Sequence, residues 1–241
     1  WKLIAAVSFP LFIAAILPLI TTFLWVGIPT IAPLTASSSA GAAMMSDPMI
    51  RRGRSADAVV HGVGSDGVEL GQGMGFFPWG LCGQHFLERG RFGRMVVALG
   101  ETGARFGWGV SEDSALLVDR ATGWVETIGP CALTLFDMDS LQTSPGRWDG
   151  VHLAFLGSGD RVHAPTGAIE RAPSAIPLVP EGGPTPELVI EELWGPTALR
   201  SACSHLAKTT GSSALLTDVY VQALLRYEER TSAWLTEEDG A

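Results

Sequence analysis

Three consecutive serines followed by small residues, in the stretch TASSSAGAAMMS (Thr35–Ser46), set a hydroxyl where a strand could turn into a helix. A serine displayed on such a turn can attack a carbonyl carbon. It needs small neighbours two positions away on each side, because the strand and helix backbones pass closely there. With Ser39 as the nucleophile, Gly41 meets that demand downstream, and Ser37 stands upstream where glycine is usual. The Ala40 N–H would then face a developing oxyanion from the start of the helix. The same residues also suit a capped helix start, the commoner use of such a run. The stretch alone leaves both readings open.

A nucleophile needs a frame, and the chain has the material for one. Its 241 residues, 46% hydrophobic and 17% charged, are enough for one sizeable buried domain or a domain with appendages. GIPTIAP (Gly27–Pro33) predicts a short buried strand, with SAGAAMMS as the helix start that follows. Arg51–Asp66 predicts a loop or a short strand pair, and Gly71–Gly80 a Gly/Pro-rich loop. Within Cys82–Gly103, Phe92, Met95, Val96 and Leu99 recur at helical spacing. ARFGWGVSEDSALLVD and GWVETIG alternate like strands around the turn Ala121–Gly123, and CALTLFDMD and VHLAFLGSGD read as two more strands. Residues 164–187, with six prolines, predict a loop. Helices are expected near Thr197–Lys208 and over Ser213–Arg230, the second with a stripe of Leu215, Leu216, Val219, Ala223 and Tyr227. There is no internal repeat, and the mixture is α/β.

Composition excludes several classes. A net charge of −9 leaves no basic face to neutralise phosphates, which argues against a nucleic-acid partner. Cys82, Cys131 and Cys203 are an odd number without CxxC spacing, so they signal neither a metal nor a disulfide and fit a reducing compartment. No two histidines have metal-ligand spacing with acids nearby, and His61, His152, His163 and His205 read as structural. The chain starts with Trp1, which suggests a fragment or a processed product. Leu3–Trp25 is uncharged and long enough to span a bilayer. It also suits a signal segment with SSA before Gly41 as its cleavage site, or a buried helix leading into a buried strand.

Read together, SSAGAAMMS, GMGFFP, GQHFLERGRFGRM, GWGVSEDSALLV and LGSGD resemble the cyanophycinase and peptidase E family of serine peptidases, and the cyanophycinase branch most closely. The resemblance runs from about Gly27 to Asp160 in matching order. It implies a three-layer αβα fold with a mostly parallel sheet, similar to the class I glutamine amidotransferases, and cleavage after β-linked or free aspartyl groups. It also implies a triad with Ser39 as nucleophile, His85 as base and Glu112 as acid. The chemistry agrees, since a serine hydroxyl is inert until a histidine takes its proton and a carboxylate fixes that histidine's tautomer. The order Ser, His, acid counts against an α/β-hydrolase, and a glutamine amidotransferase would carry cysteine at position 39. Arg89, Arg91 and Arg94 match the family's arginine-rich motif and would hold a substrate carboxylate; Gln84 matches a pocket residue. Each also has a plainer reading: a partly buried histidine, a turn residue beside Asp113, a solvated basic helix face.

Two departures stand against the resemblance. Gly83 occupies a position where the family usually carries aspartate, which weakens the case for a basic group in the substrate. Ahead of Ser39 there is no glycine-rich turn to offer a second oxyanion donor, so that half of the family domain is expected to be missing or replaced. Loss of one such donor typically slows acyl transfer by about a hundredfold or more. The expectation is therefore an apolar segment (1–26) followed by a cyanophycinase-like serine peptidase domain (27–241), with impaired turnover. The resemblance implies no cofactor and no metal, and a small peptide or cyanophycin-like polymer as substrate. The expected location is cytoplasmic, with membrane anchoring through residues 3–25 as the alternative. A homodimer and a non-catalytic binding role are left open.

Overall fold

A computed structural model describes residues 34–130, 133–178, 187–209, 213–219, 221–226 and 234–235, and for residues 34–40 and 234–235 it describes the backbone alone. The apolar segment 1–26 and the strand expected at Gly27–Pro33 lie outside the described residues.

The site-bearing core is one βαβ unit. Strand β4 (Leu81–Gln84) runs through a turn into a helix, Phe92–Thr102, and returns as β5 (Phe106–Val110), parallel to β4 with Gly83 opposite Gly109. Ahead of it come β1 (Leu34–Ser38), a short 3-10 helix (Ser39–Met45), β2 (Met49–Arg52), helix α1 (Ser55–His61) and β3 (Glu69–Gly71). The Phe92–Thr102 helix is therefore α2. After β5 follow β6 (Ala115–Asp119), β7 (Trp124–Ile128), β8 (Leu133–Asp137), the hairpin β9 (Gln142–Ser144) and β10 (Arg147–Asp149), and β11 (His152–Leu156). Then come β12 (Arg161–His163), β13 (Ala168–Glu170), β14 (Ile176–Pro177), β15 (Leu188–Ile190), α3 (Ala198–Lys208), β16 (Ser213–Thr217), β17 (Gln222–Arg226) and β18 (Trp234–Leu235).

Two sheets carry most of the core. One has the order β11-β8-β5-β4, the other β1-β6-β7-β12-β13. Between them Cys82, Trp108, Val110, Leu133 and Leu135 of the first pack with Leu116, Val118, Val125 and Val162 of the second. The opposite face of the four-stranded sheet, with Leu81 and Phe136, is covered by Met95, Ala98 and Leu99 of α2, while α3, with Ala198, Leu199 and Ala202 buried in the same apolar cluster, packs on the separate sheet β15-β16-β17. β5 is buried along its whole length. Its apolar side chains face the second sheet, while Gly107 lets Met95 and Leu99 of α2 approach the strand, since a Cβ there would lie 2.7 Å from Leu99 Cδ1.

The α/β mixture agrees with expectation, but the described ladders are mostly antiparallel where a mostly parallel sheet is predicted. Among the described residues the strand pairs that run parallel are β4 with β5 and β15 with β16. Connection length explains this. A parallel pair needs a crossover of a dozen residues or more, and those two pairs have one, through α2 and α3. The links β6–β7 and β12–β13 are short turns, so these strands reverse. On one side of the four-stranded sheet, an antiparallel sheet therefore stands where a second helical layer is predicted.

Three local expectations also change. Helix α1 forms inside the segment read as a loop or strand pair. Over Ser213–Arg230 the described residues form the hairpin β16–β17 in place of a helix, with Ser213 opposite Arg226. Alternation wins over helical propensity there: Ala214 and Leu216 are buried, whereas Val219, placed on the expected stripe, is 80% exposed at the turn. The third concerns Gly41, where a Cβ would meet nothing within 4 Å among the described residues. The tight packing lies instead at Ala42 and Ala43, both buried, and at Gly73, where a Cβ would strike the Ser46 carbonyl oxygen at 1.8 Å.

Candidate active site

The carboxyl ends of parallel strands are where α/β units present their chemistry, because the chain turns there and backbone groups point outward. β4 ends at Gln84, and His85 follows at once with φ 46°, in the left-handed region. For a residue with a Cβ that conformation costs about 1–3 kcal/mol and survives where the surroundings impose it. β5 ends at Val110, and the turn Ser111–Ser114 leads into β6. That turn is tightened by Asp113 at φ 55° and by Ser114 Oγ, which donates to the Glu112 carbonyl at 3.1 Å. The two ends meet: His85 Nδ1 lies 2.9 Å from Glu112 Oε1. The imidazole is about three-quarters buried and the carboxylate about half exposed, so the pair sits at the mouth of the unit.

Ser39 is the first residue of the 3-10 helix, directly after β1. β1 pairs antiparallel with β6, Ser38 opposite Ala115. The register brings the end of β1 beside the start of β6, directly after the turn that carries Glu112. Ala40 is the next residue of the 3-10 helix. Farther along, Ser46 Oγ accepts the Cys82 N–H at 3.1 Å, which ties the segment after the helix to β4.

The three arginines have different surroundings. Arg89 is exposed. Arg91 is partly buried, and its Nη1 donates to the carbonyl oxygen of Gln84, at the end of β4. Burial first, then the nearby Arg89, lowers its pKa below the usual arginine value, while Glu112 and Glu88 act in the opposite direction. Arg94 is 5% exposed, and its Nη1 donates to the Gly53 carbonyl at 3.0 Å. Burial, with Arg91 and Arg89 adding to it, brings its pKa down to about 10. Arg94 therefore ties α2 to the segment before α1, and Arg91 lies in the electrostatic neighbourhood of Glu112. Sequence reasoning missed Ser55, whose Oγ donates to the Gly90 carbonyl at 2.6 Å and accepts the Arg94 N–H at 3.3 Å. Nothing in the local pattern marks it, because it acts on residues 35 and 39 positions away.

Cys82 is 2% exposed, and burial pushes its thiol up to about 12 against a smaller lowering by Ser46. It is a core residue and no nucleophile at neutral pH. Among the described residues no three His, Cys, Asp or Glu side chains gather as a metal site, and no helix is long and apolar enough to cross a membrane.

The chain is 31% identical over 137 residues to the cyanophycinase of Trichormus variabilis, a match covering 53% of this chain and 44% of that protein. The cyanophycinase of Geminocystis herdmanii is 30% identical over 138 residues, 54% of this chain and 49% of the relative. The chain thus spans about half the length of the curated relatives it matches. Among solved structures, a peptidase from an acI-B1 actinobacterium superposes with a TM-score of 0.33 at 15% identity, over 52% of this chain and 43% of that one. No family model matches the chain. About half of this chain is homologous to cyanophycinases.

Proposed function

We propose that the chain carries the active-site region of a cyanophycinase-type serine hydrolase that cleaves β-aspartyl or aspartyl peptide bonds. The observation that carries this reading is the 2.9 Å approach of His85 Nδ1 to Glu112 Oε1 at the ends of two parallel strands. A carboxylate on Nδ1 keeps that nitrogen protonated and leaves Nε2 as the acceptor that a nucleophilic hydroxyl requires. In this reading Ser39 Oγ attacks the scissile carbonyl and passes its proton to His85 Nε2. The Ala40 N–H faces the oxyanion. Collapse expels the amine, which takes the proton from His85, and water then releases the acyl group by the same relay. Arg91, with Arg89, binds the carboxylate of the aspartyl group, and Gln84 contributes a hydrogen bond beside it. Arg94 supports the reading indirectly, by fixing α2. The family's amidotransferase-like fold is the frame we infer for the β4–α2–β5 unit.

The test compares Ser37→Ala, Ser38→Ala and Ser39→Ala, using fluorophosphonate labelling and hydrolysis of β-aspartyl dipeptides and cyanophycin. Labelling and hydrolysis should vanish in Ser39→Ala and persist in the other two. Equal behaviour of all three variants would sink the assignment of Ser39. Uptake of the substrate without labelling or turnover in the parent would reduce the site to a binding pocket.

A further inference from the structure

The His85–Glu112 pair depends on two strands arriving together, and one buried ring lies between the strands that deliver it. Phe86 follows His85 and is fully buried. Its ring fills the space left by Gly83 of β4 and Gly109 of β5, which stand opposite each other in the parallel ladder. A Cβ on Gly83 would come within 2.9 Å of Phe86 Cδ2, and one on Gly109 within 2.4 Å of Phe86 Cδ1. Neither glycine has a left-handed φ, so what they supply is room. Phe136 meets the ring edge-on, centroids 5.5 Å apart at 70°. The backbone of Phe86 is bound on both sides: its N–H donates to Val110 O at 3.2 Å, and its carbonyl accepts the Arg91 N–H at 3.0 Å.

These contacts bear on His85, the residue directly before Phe86. Its left-handed φ of 46° needs a neighbour that cannot relax. Phe86 is such a neighbour, since ring and backbone are both held. Gly83 lies two residues before His85, and Gly109 three before Glu112. The ring therefore spaces β4 and β5 just where the two functional side chains leave them.

We infer that Phe86 is a positioning residue: wedged in the Gly83–Gly109 slot, it holds His85 in its left-handed turn with Nδ1 on Glu112. The inference rests on the reading of His85 as the base of the proposed hydrolase. It also accounts for glycine at position 83, where a side chain would run into Phe86 and, at 2.8 Å, into Met95 Cε.

Phe86→Leu keeps the site apolar but withdraws the ring from both walls. The first readout is the Nδ1 proton of His85 in the nitrogen-15 NMR spectrum, assigned by its loss in His85→Gln. The second is the rate at which a fluorophosphonate labels Ser39. In a folded Phe86→Leu variant the resonance should disappear into exchange with water. Labelling should slow on the order of 10- to 100-fold, the usual consequence of a base displaced by about an ångström. A resonance that persists in Phe86→Leu overturns the inference whatever the labelling rate, and so does its absence from the parent. If the parent shows the resonance and Phe86→Leu loses it, but neither is labelled, the positioning role stands and the hydrolase reading fails. Should Phe86→Leu not fold, Gly109→Ala, which crowds the ring from the opposite wall, is read by the same two measurements. Failure of both to fold would make Phe86 a core residue only and overturn the inference.

Discussion

Arg91 and Arg94 lie three residues apart and answer to different physics. Arg91 holds the Gln84 carbonyl and shares its surroundings with Glu112. Only a planar fork can keep that carbonyl while presenting a second edge to a substrate carboxylate. Arg91→Lys should therefore raise KM for β-aspartyl substrates about tenfold or more. Steady-state kinetics checks this, and an unchanged KM would remove Arg91 from binding. Arg94 is buried on the Gly53 carbonyl, so Arg94→Lys should leave KM alone and lower stability by about 1.5–3 kcal/mol, the range for a hydrogen bond to a charged group, as read by urea unfolding. Both arginines look alike in the run ERGRFGR. What separates them is a partner 41 residues away, which a sequence pattern does not contain. His85 and Glu112 were legible because their neighbours form a recognisable motif. The slot for Phe86 was not, since Gly83 and Gly109 acquire meaning only when the parallel ladder sets them opposite each other. A different residue opposite Gly109 also invites a test. Thr134 Oγ1 is buried with no hydrogen-bond partner among the described residues. Removing an unsatisfied hydroxyl relieves its desolvation cost, so Thr134→Val should stabilise the protein by about 1 kcal/mol in urea unfolding, and destabilisation would show that the hydroxyl is bonded after all.

At the scale of elements, the turn that carries the arginines is gripped by the segment following β15. Trp194 lays its ring against Gly93, where a Cβ would lie 2.6 Å from Cη2, and its backbone against Gly90, where a Cβ would lie 2.2 Å from the Trp194 carbonyl oxygen. The ring also packs on Phe92, centroids 4.9 Å apart, and its Nε1 donates to Asp218 Oδ2 at 2.6 Å. The β15–α3–β16–β17 segment, which lies beyond the motif-bearing stretch, thus helps to hold the candidate site. Trp194→Ala should cost about 2 kcal/mol, less than the roughly 3–5 kcal/mol of a fully buried aromatic because the ring is partly exposed. Gly93→Ala should be severe in the parent and milder in Trp194→Ala, since the clash has gone; strictly additive losses in urea unfolding would refute the contact. The elements behind this contact were unevenly readable. Helices α2 and α3 have clear apolar stripes and appear where their spacing predicts them. Helix α1 has seven residues, of which Ser55 and Ala58 are buried, and so shows no stripe. For β16 and β17 the residues are good helix formers, yet pairing with β15 and burial on alternate residues override that preference.

For the molecule as a whole, the two packed sheets place Cys82 in the apolar layer between them, and that burial makes stability depend on pH. The thiol's pKa in the folded chain is raised from its ordinary 9.0 to about 12 by burial, with Ser46 lowering it slightly. Between those two values the unfolded chain has released the proton and the folded chain still holds it. Stability from this group is thus fully present below pH 9 and is lost progressively as pH rises towards 12. By pH 10.5 the loss amounts to about 2 kcal/mol, from roughly 1.4 kcal/mol per pH unit above 9. Other groups titrate in the same range, so the measurement is a difference. Urea unfolding of the parent and of Cys82→Ala, followed from pH 7 to 10.5, removes what the two share. Below pH 9 the variant should be less stable by a constant amount, because the methyl group leaves part of the thiol's volume empty. Above pH 9 the parent should lose stability faster, and the gap should narrow by about 2 kcal/mol. A gap that stays constant would mean that the thiolate is tolerated in the folded chain, and that Cys82 does not sit in the dry layer between the sheets.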